Sequence, residues 1–265
     1  MLWLKRGYFW LAMVTVTLAA LLLALPCCLG SALYGRLTGR DPARGLRGGI
    51  WLYGRVFRFL VAPILPVISV NPDLAQRHSP CIIIPNHQSF LDLYLLSAQR
   101  CTNLCFVITA WPFTRLFFFA AVMRRARYIK VGRGEDSLDF LDRCLAELRA
   151  GSTLVCFPEG TRSRSRALLP FRSGIFRVAA AAGAKLVPMI FHNTGKICPP
   201  GSFKVNPQEI FVKLLEPIGC EQAEATGRNH KTLLQQARAA MLAELDKPTV
   251  PPITPMAKNH PGSTQ

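Results

Sequence analysis

Twenty-nine consecutive residues, from Gly7 to Gly35, carry no charge, and YFWLAMVTVTLAALLLAL fills most of that stretch. A helix of about 20 apolar residues crosses the hydrocarbon core of a bilayer. The run must therefore be matched by lipid or by an apolar protein surface, and an apolar helix over 8–30 is expected. Lys5 and Arg6 stand just before it, as in a secretory leader. The run is long for a leader core, however, and LPCCLGSALYG offers no clean small-x-small cleavage site. Pro26 occupies the place where lipid modification at Cys27 would need a small residue. A retained anchor is the expectation. A second apolar segment, WLYGRVFRFLVAPILPVISV, contains Arg55, Arg58 and two prolines. It predicts an interfacial helix over 50–70 whose arginines reach toward headgroups, with a core helix as the alternative.

Charge placement points the same way. The net charge is +17, and residues 1–134 hold sixteen Lys or Arg against only Asp41, Asp73 and Asp92. Basic residues beside an apolar anchor attract anionic membrane lipid, at about 1 kcal/mol each near the surface. Arg36, Arg40, Arg44 and Arg47 follow the run, which favours the cytoplasmic side for the rest of the chain, at the plasma or inner membrane in a bacterium. The long uncharged stretch disfavours nucleic acid, the other usual partner of a basic chain. Nine cysteines show no metal-ligand spacing, so buried free thiols and no metal are expected.

After residue 70, short apolar runs alternate with helical patterns. CIIIP (81–85), STLVCFP (152–158), KLVPMIF (185–191), EIFVKLLEPI (209–218) and ARYIKV (126–131) read as strands. SLDFLDRCLAELRAG puts Leu138, Leu141, Leu145 and Leu148 on one helical face, and RSGIFRVAAAAG and NHKTLLQQARAAMLAEL are further helices. The alternation predicts an α/β fold, a largely parallel central sheet flanked by helices and preceded by an N-terminal membrane-associated helical segment. Ligands of such sheets collect at the carboxyl ends of strands. The expected organisation is an anchor over 1–70, a globular domain over 71–246 and a mobile proline-rich tail over 247–265. The aromatic segment TAWPFTRLFFFAAVM (109–123) reads either as a lipid-facing surface or as a buried core helix.

Two polar motifs follow strands. In PNHQSFLD, Ser89-Phe90-Leu91-Asp92 fits a capping box, so Asp92 can start a helix. Positions five apart on one continuous helix point about 140° from each other, so His87 and Asp92 meet only if His87 lies in the preceding loop. There the carboxylate would fix the imidazole tautomer and leave the other ring nitrogen as a base for a substrate hydroxyl. In CFPEGTRSRS, Gly160 permits a tight turn and Arg162 offers a planar fork for phosphate. A solvated basic loop and an RNA-binding tract are the alternatives; the tract is short and lacks stacking aromatics.

Together the two motifs resemble the glycerolipid acyltransferase family, typified by 1-acyl-glycerol-3-phosphate acyltransferases. The family's Asn-His-x-x-x-x-Asp block matches Asn86, His87 and Asp92, and its Phe-Pro-Glu-Gly-Thr-Arg-Ser block matches residues 157–163. Ile129–Arg133, Phe171–Gly174 (with Arg172 in place of lysine) and Val187–Ile190 match its looser blocks. The resemblance covers about residues 75–220. It implies that His87 is the general base and Asp92 its orienting acid, attacking an acyl-CoA or acyl-carrier-protein thioester through a lysophospholipid hydroxyl. It further implies that Glu159, Gly160, Thr161 and Arg162 hold the acceptor's glycerol phosphate, with Arg133 and Arg172 as further phosphate contacts, and that no cofactor or metal is required. Another lysolipid or an amino-acid lipid as acceptor, and a non-catalytic lipid-binding protein of the same fold, are the competing readings.

Overall fold

The computed structural model describes residues 1–97, 99–115, 117–131, 137–165, 167–219 and 230–247. Within them one sheet forms from β1 (Val67–Val70), β2 (Ile82–Pro85), β3 (Leu104–Thr109), β4 (Ile129–Val131), β5 (Thr153–Cys156), β6 (Leu186–His192) and β7 (Ile210–Leu214), in the order β1-β7-β6-β2-β5-β3-β4. β6, β2, β5, β3 and β4 run parallel. β7 runs antiparallel to β6, and β1 follows β7. The carboxyl ends of the five parallel strands therefore share one edge of the sheet, and the connection from β6 to β7 stays on that edge.

Strand periodicity decides which residues face which helices. Ile83 points into a cluster with Phe9, Phe57, Leu91 and Leu95, whereas Ile82 and Ile84 point the other way, toward Leu148, Phe176, Val178 and Ala237. The first cluster is covered by α1 (Leu2–Thr38), α2 (Pro42–Val61) and α4 (Leu91–Ser97). The second is covered by α7 (Ser137–Arg149), α8 (Gly174–Ala182) and α10 (His230–Leu245). Short helices α3 (Leu74–Arg77), α5 (Ala110–Arg115), α6 (Phe117–Arg125) and α9 (Thr194–Ile197) complete the described chain. A largely parallel sheet between helix layers, preceded by an apolar helix, is the fold that the alternating sequence pattern leads one to expect.

The amino-terminal region differs in its limits. The apolar helix expected over 8–30 runs instead from Leu2 to Thr38 and closes at Gly39 in a left-handed conformation (φ 67°). It is the one helix among the described residues long and apolar enough to cross a membrane. The helix expected over 50–70 starts earlier and ends sooner. The Asp41 carboxylate accepts the Ala43 N–H at 3.0 Å, Pro42 stands at the first turn, and the helix stops at Val61 before Pro63 and Pro66. Residues 67–70 are a sheet strand, so the sheet begins before the boundary expected at 71. α1 folds back along α2, with Phe9 against Phe57 and the Tyr8 hydroxyl donating to the Leu60 carbonyl at 2.6 Å. Along its outer side Leu11, Val14, Leu18, Leu22, Leu25 and Leu29 are exposed, at helical spacing.

α2 is joined to the domain through a buried charge. Arg47, 2% exposed, donates to the Ala126 carbonyl (2.9 Å), Asn103 Oδ1 (3.0 Å), Ser152 Oγ (2.7 Å) and Glu147 Oε2 (2.9 Å). At the other end of α2, Phe57 and Tyr53 pack on Tyr94 of α4. The aromatic segment 109–123 is not a core helix in its first half: α5 buries none of its residues, and Trp111 is 61% exposed. The strand LCFVIT ahead of it is not among those expected from the sequence. Arg133 and the tail 248–265 lie outside the described residues.

Candidate active site

β2 and β5 are paired neighbours, with Ile82 opposite Leu154 and Ile83 opposite Val155. The loops that leave their carboxyl ends are therefore side by side, and these carry PNHQSFLD and FPEGTRS. Asn86 fixes the first loop to β6: its amide donates to the Phe191 carbonyl (3.1 Å), and the Phe191 N–H donates to its oxygen (2.7 Å). Sequence reasoning assigns Asn86 no role beyond its place in the family block. A polar asparagine between a buried strand and a loop histidine is the available signal.

His87 sits in that loop and Asp92 in the first turn of α4, the one arrangement in which they can meet. His87 Nδ1 lies 2.8 Å from Asp92 Oδ2. The same oxygen accepts the N–H groups of Gln88 (2.7 Å) and Ser89 (2.8 Å), while Ser89 Oγ accepts the Leu91 N–H at 3.3 Å. Asp92 thus caps the helix and orients the imidazole at once. An oxygen already receiving two amide donors is an acceptor, so the third contact is an Nδ1–H donor. The Nε2 lone pair is then left free of that bond, ready to receive a proton. The imidazole stacks on Phe157 (centroids 3.9 Å apart, 28° between planes) and keeps 15% of its side chain open, while Asp92 is fully buried.

The second motif holds both backbone groups of His87. The His87 N–H donates to Glu159 Oε1 at 2.8 Å, and the His87 carbonyl accepts the Ser163 N–H at 2.8 Å. The other carboxylate oxygen of Glu159 accepts the Leu169 N–H at 2.9 Å. Leu168 is in turn buried against Ile190 and Met241. This corrects the expectation that Glu159 contacts the acceptor: it is 4% exposed with both oxygens occupied, and it braces the histidine loop against the arginine-rich loop. Composition could not show this, because its partners are backbone amides far away in sequence.

Burial pushes the Glu159 carboxyl up to about 7 from the usual 4.5, against the pull of the two N–H donors. A folded-state value above the unfolded one means that folding binds extra proton between about 4.5 and 7, so this residue's contribution to stability falls as pH rises through that window. A glutamine in its place would not titrate. The stability of the native protein relative to Glu159→Gln is therefore expected to drop between pH 5 and pH 8. Thermal unfolding of both proteins at the two pH values measures it, and a difference that stays constant or grows would contradict the burial argument.

The rest of the turn faces outward. Gly160 adopts φ 68°, its N–H donates to the Phe157 carbonyl (3.1 Å), and a side chain there would put Cβ 2.6 Å from Arg172 Nε. Arg172 is held over the turn by its own N–H, which donates to the Pro158 carbonyl at 2.8 Å. Thr161, Arg162 and Arg172 are exposed, and Arg162 has no hydrogen-bond or ion-pair partner among the described residues. The structure thus gathers His87, Asp92, Glu159, Gly160, Thr161, Arg162 and Arg172 at one edge. A base and unpaired guanidinium donors are the parts needed to deprotonate a hydroxyl on a phosphate-bearing molecule.

Comparison with known proteins gives acyltransferases among the relatives. Residues 66–192 match the family model described as Acyltransferase. The chain is 31% identical over 183 residues to a chloroplastic 1-acyl-sn-glycerol-3-phosphate acyltransferase of Brassica napus, covering 65% of this chain and 53% of that protein. It is 31% identical over 207 residues to a chloroplastic enzyme of the same name from Arabidopsis thaliana, covering 73% and 56% respectively. The chain spans just over half the length of these relatives. The crystal structure of the 1-acyl-sn-glycerophosphate (LPA) acyltransferase PlsC from Thermotoga maritima has the same fold, with a TM-score of 0.67 over 91% of this chain and 94% of that one, at 20% identity.

Proposed function

We propose that this chain, whose residues 66–192 match the acyltransferase family model, acylates the free hydroxyl of 1-acyl-glycerol-3-phosphate to give phosphatidic acid. The observation that carries this reading is the joining of the two motifs: both backbone groups of the candidate base are bound by the turn that presents Arg162. The acceptor's phosphate sits against Arg162 and Arg172, which places its hydroxyl toward His87. Nε2 takes the hydroxyl proton as the oxygen attacks the carbonyl carbon of an acyl thioester. The tetrahedral intermediate expels the thiolate, which recovers the proton from Nε2. One ester C–O bond forms, one C–S bond breaks, and no acyl-enzyme is required. Ser89 is a poor rival nucleophile, because its hydroxyl donates to the Cys198 carbonyl at 2.8 Å. A base so placed contributes about 10²–10⁴-fold, leaving the remainder to alignment and charge stabilisation.

The reading includes membrane association on the cytoplasmic side. α1 measures about 55 Å at 1.5 Å per residue and packs back along α2, which is itself seated on the domain. We take the exposed leucine side as the surface that enters one leaflet, with anionic lipid attracted by the basic residues around it.

Arg162→Ala tests the acceptor assignment. Losing a charged hydrogen bond to phosphate costs about 1.5–3 kcal/mol, so KM for the lysolipid is expected to rise about 10–100-fold. Its KM for the thioester donor should stay within about twofold. Steady-state kinetics with a panel of lysolipids and both thioester donors measures it. A donor-side defect would remove Arg162 from the acceptor site.

A further inference from the structure

The geometry points to a membrane-inserting tip on the loop between β6 and β7, with Phe203 as the side chain that enters an anionic phospholipid leaflet. The inference extends the membrane association proposed above to a part of the globular domain itself.

The loop PPGSFKVNP (199–207) is braced on several sides. Val205 is fully buried, the Asn206 N–H donates to the Ile197 carbonyl (2.9 Å), and the Asn206 side chain donates to the Lys196 carbonyl (3.2 Å). The tip closes on itself through Ser202: its N–H donates to the Pro199 carbonyl (3.2 Å), and its hydroxyl accepts the Lys204 N–H (3.1 Å). Yet this ordered tip holds Phe203 85% exposed. A single exposed apolar residue is ordinary on a protein surface. Three further observations set this one apart.

The first is continuity with the lipid-facing helix. The Phe203 ring meets Trp10 of α1 (centroids 5.9 Å apart), and Arg6 donates to the Val205 carbonyl (2.8 Å) and Asn206 Oδ1 (3.0 Å). The tip is thus tied to the amino-terminal end of α1, where Trp3 is 72% exposed. The second is charge: Arg6 is bonded to the loop beside the aromatic pair, Lys204 follows Phe203 directly and Lys5 precedes Arg6 in the chain, a composition that suits anionic headgroups. The third is position. The loop leaves the same sheet edge as the histidine loop, and the two are joined by the hydrogen bond from Ser89 Oγ to the Cys198 carbonyl. Insertion at residue 203 sets the bilayer at the edge of the domain where the candidate base lies, and it shortens the path of a lysolipid to that base.

The test uses the full chain in vesicles of phosphatidylglycerol and phosphatidylcholine, with Phe203 replaced by a benzophenone-bearing amino acid. Ala182, exposed on α8 at the opposite face, carries the same probe as control. Irradiation is expected to give a phospholipid adduct from position 203 and not from position 182. Equal adducts at both positions, none at 203, or a protein–protein adduct at 203 would each overturn the proposal. A second arm compares Phe203→Glu with Phe203→Leu. The glutamate variant is expected to lose about tenfold in turnover of long-chain lysolipid in vesicles, with little change on a monomeric short-chain lysolipid, while the leucine variant stays near native. A loss on both substrates, or on neither, counts against the tip. The adduct does not depend on turnover, so a chain inactive on every acceptor would sink the acyltransferase reading and leave the adduct to decide the loop.

Discussion

His87→Ala is expected to lower kcat for acyl transfer by about 10²–10⁴-fold without loss of folding or of vesicle binding. Among the described residues of the joined loops, the imidazole is the group arranged as a base: its Nδ1 is committed to Asp92 and its ring is packed on Phe157. Removing it leaves Glu159 and Ser163 still holding the backbone of residue 87. The defect should therefore lie in the chemical step, with both substrates still bound. Asp92→Asn separates the two duties of the acid. An amide oxygen can still cap the N–H groups of Gln88 and Ser89, but no negative charge then faces the imidazolium that forms when Nε2 is protonated. A large loss of turnover in a folded protein is expected. A small one would reduce Asp92 to a helix cap, and near-normal turnover in His87→Ala would remove the base altogether.

Arg47→Ala is expected to destabilise the protein by about 3–5 kcal/mol, because it strands a buried carboxylate. Arg47 and Glu147 show side-chain exposures of 1% and 9%, and their ion pair is 2.9 Å long. Arg127 also pairs with Glu147 at 3.0 Å, but it is half exposed and screened by water. Denaturant or thermal unfolding of the lipid-free and vesicle-bound protein measures the loss. Adding Glu147→Gln to an Arg47→Met variant removes the stranded charge while keeping its shape, and should restore about half of it. If the single substitution proved neutral, the join between α2 and the domain would rest on apolar packing alone.

How legible these features are depends on how local their causes are. The isoleucine run 82–84 announces a doubly covered strand, and the Ser-x-x-Asp spacing announces the start of α4, because both signals lie within a few residues. The meeting of His87 with Asp92 follows from where that helix begins. Arg47 reads in sequence as one of several cations beside an apolar helix. Its burial depends on Asn103, Ala126, Glu147 and Ser152, which arrive from three later segments. Glu159 misleads for the same reason, since amides 72 and 10 residues away occupy its oxygens. β1 and β3 are illegible locally because the first is hidden behind an apolar helix and the second merges with the aromatic segment after it. Their identity as strands is settled by the partners β7 and β5.

The turn at Gly160 limits the order in which this chain can change. Any side chain there meets a left-handed backbone, at a cost of about 1–2 kcal/mol, and also the stem of Arg172. Shortening residue 172 first would clear the space and leave only the backbone strain; altering Gly160 first would push the guanidinium off the turn. The two positions are thus sterically coupled, and a redesign of this loop would have to replace its arginine before its glycine.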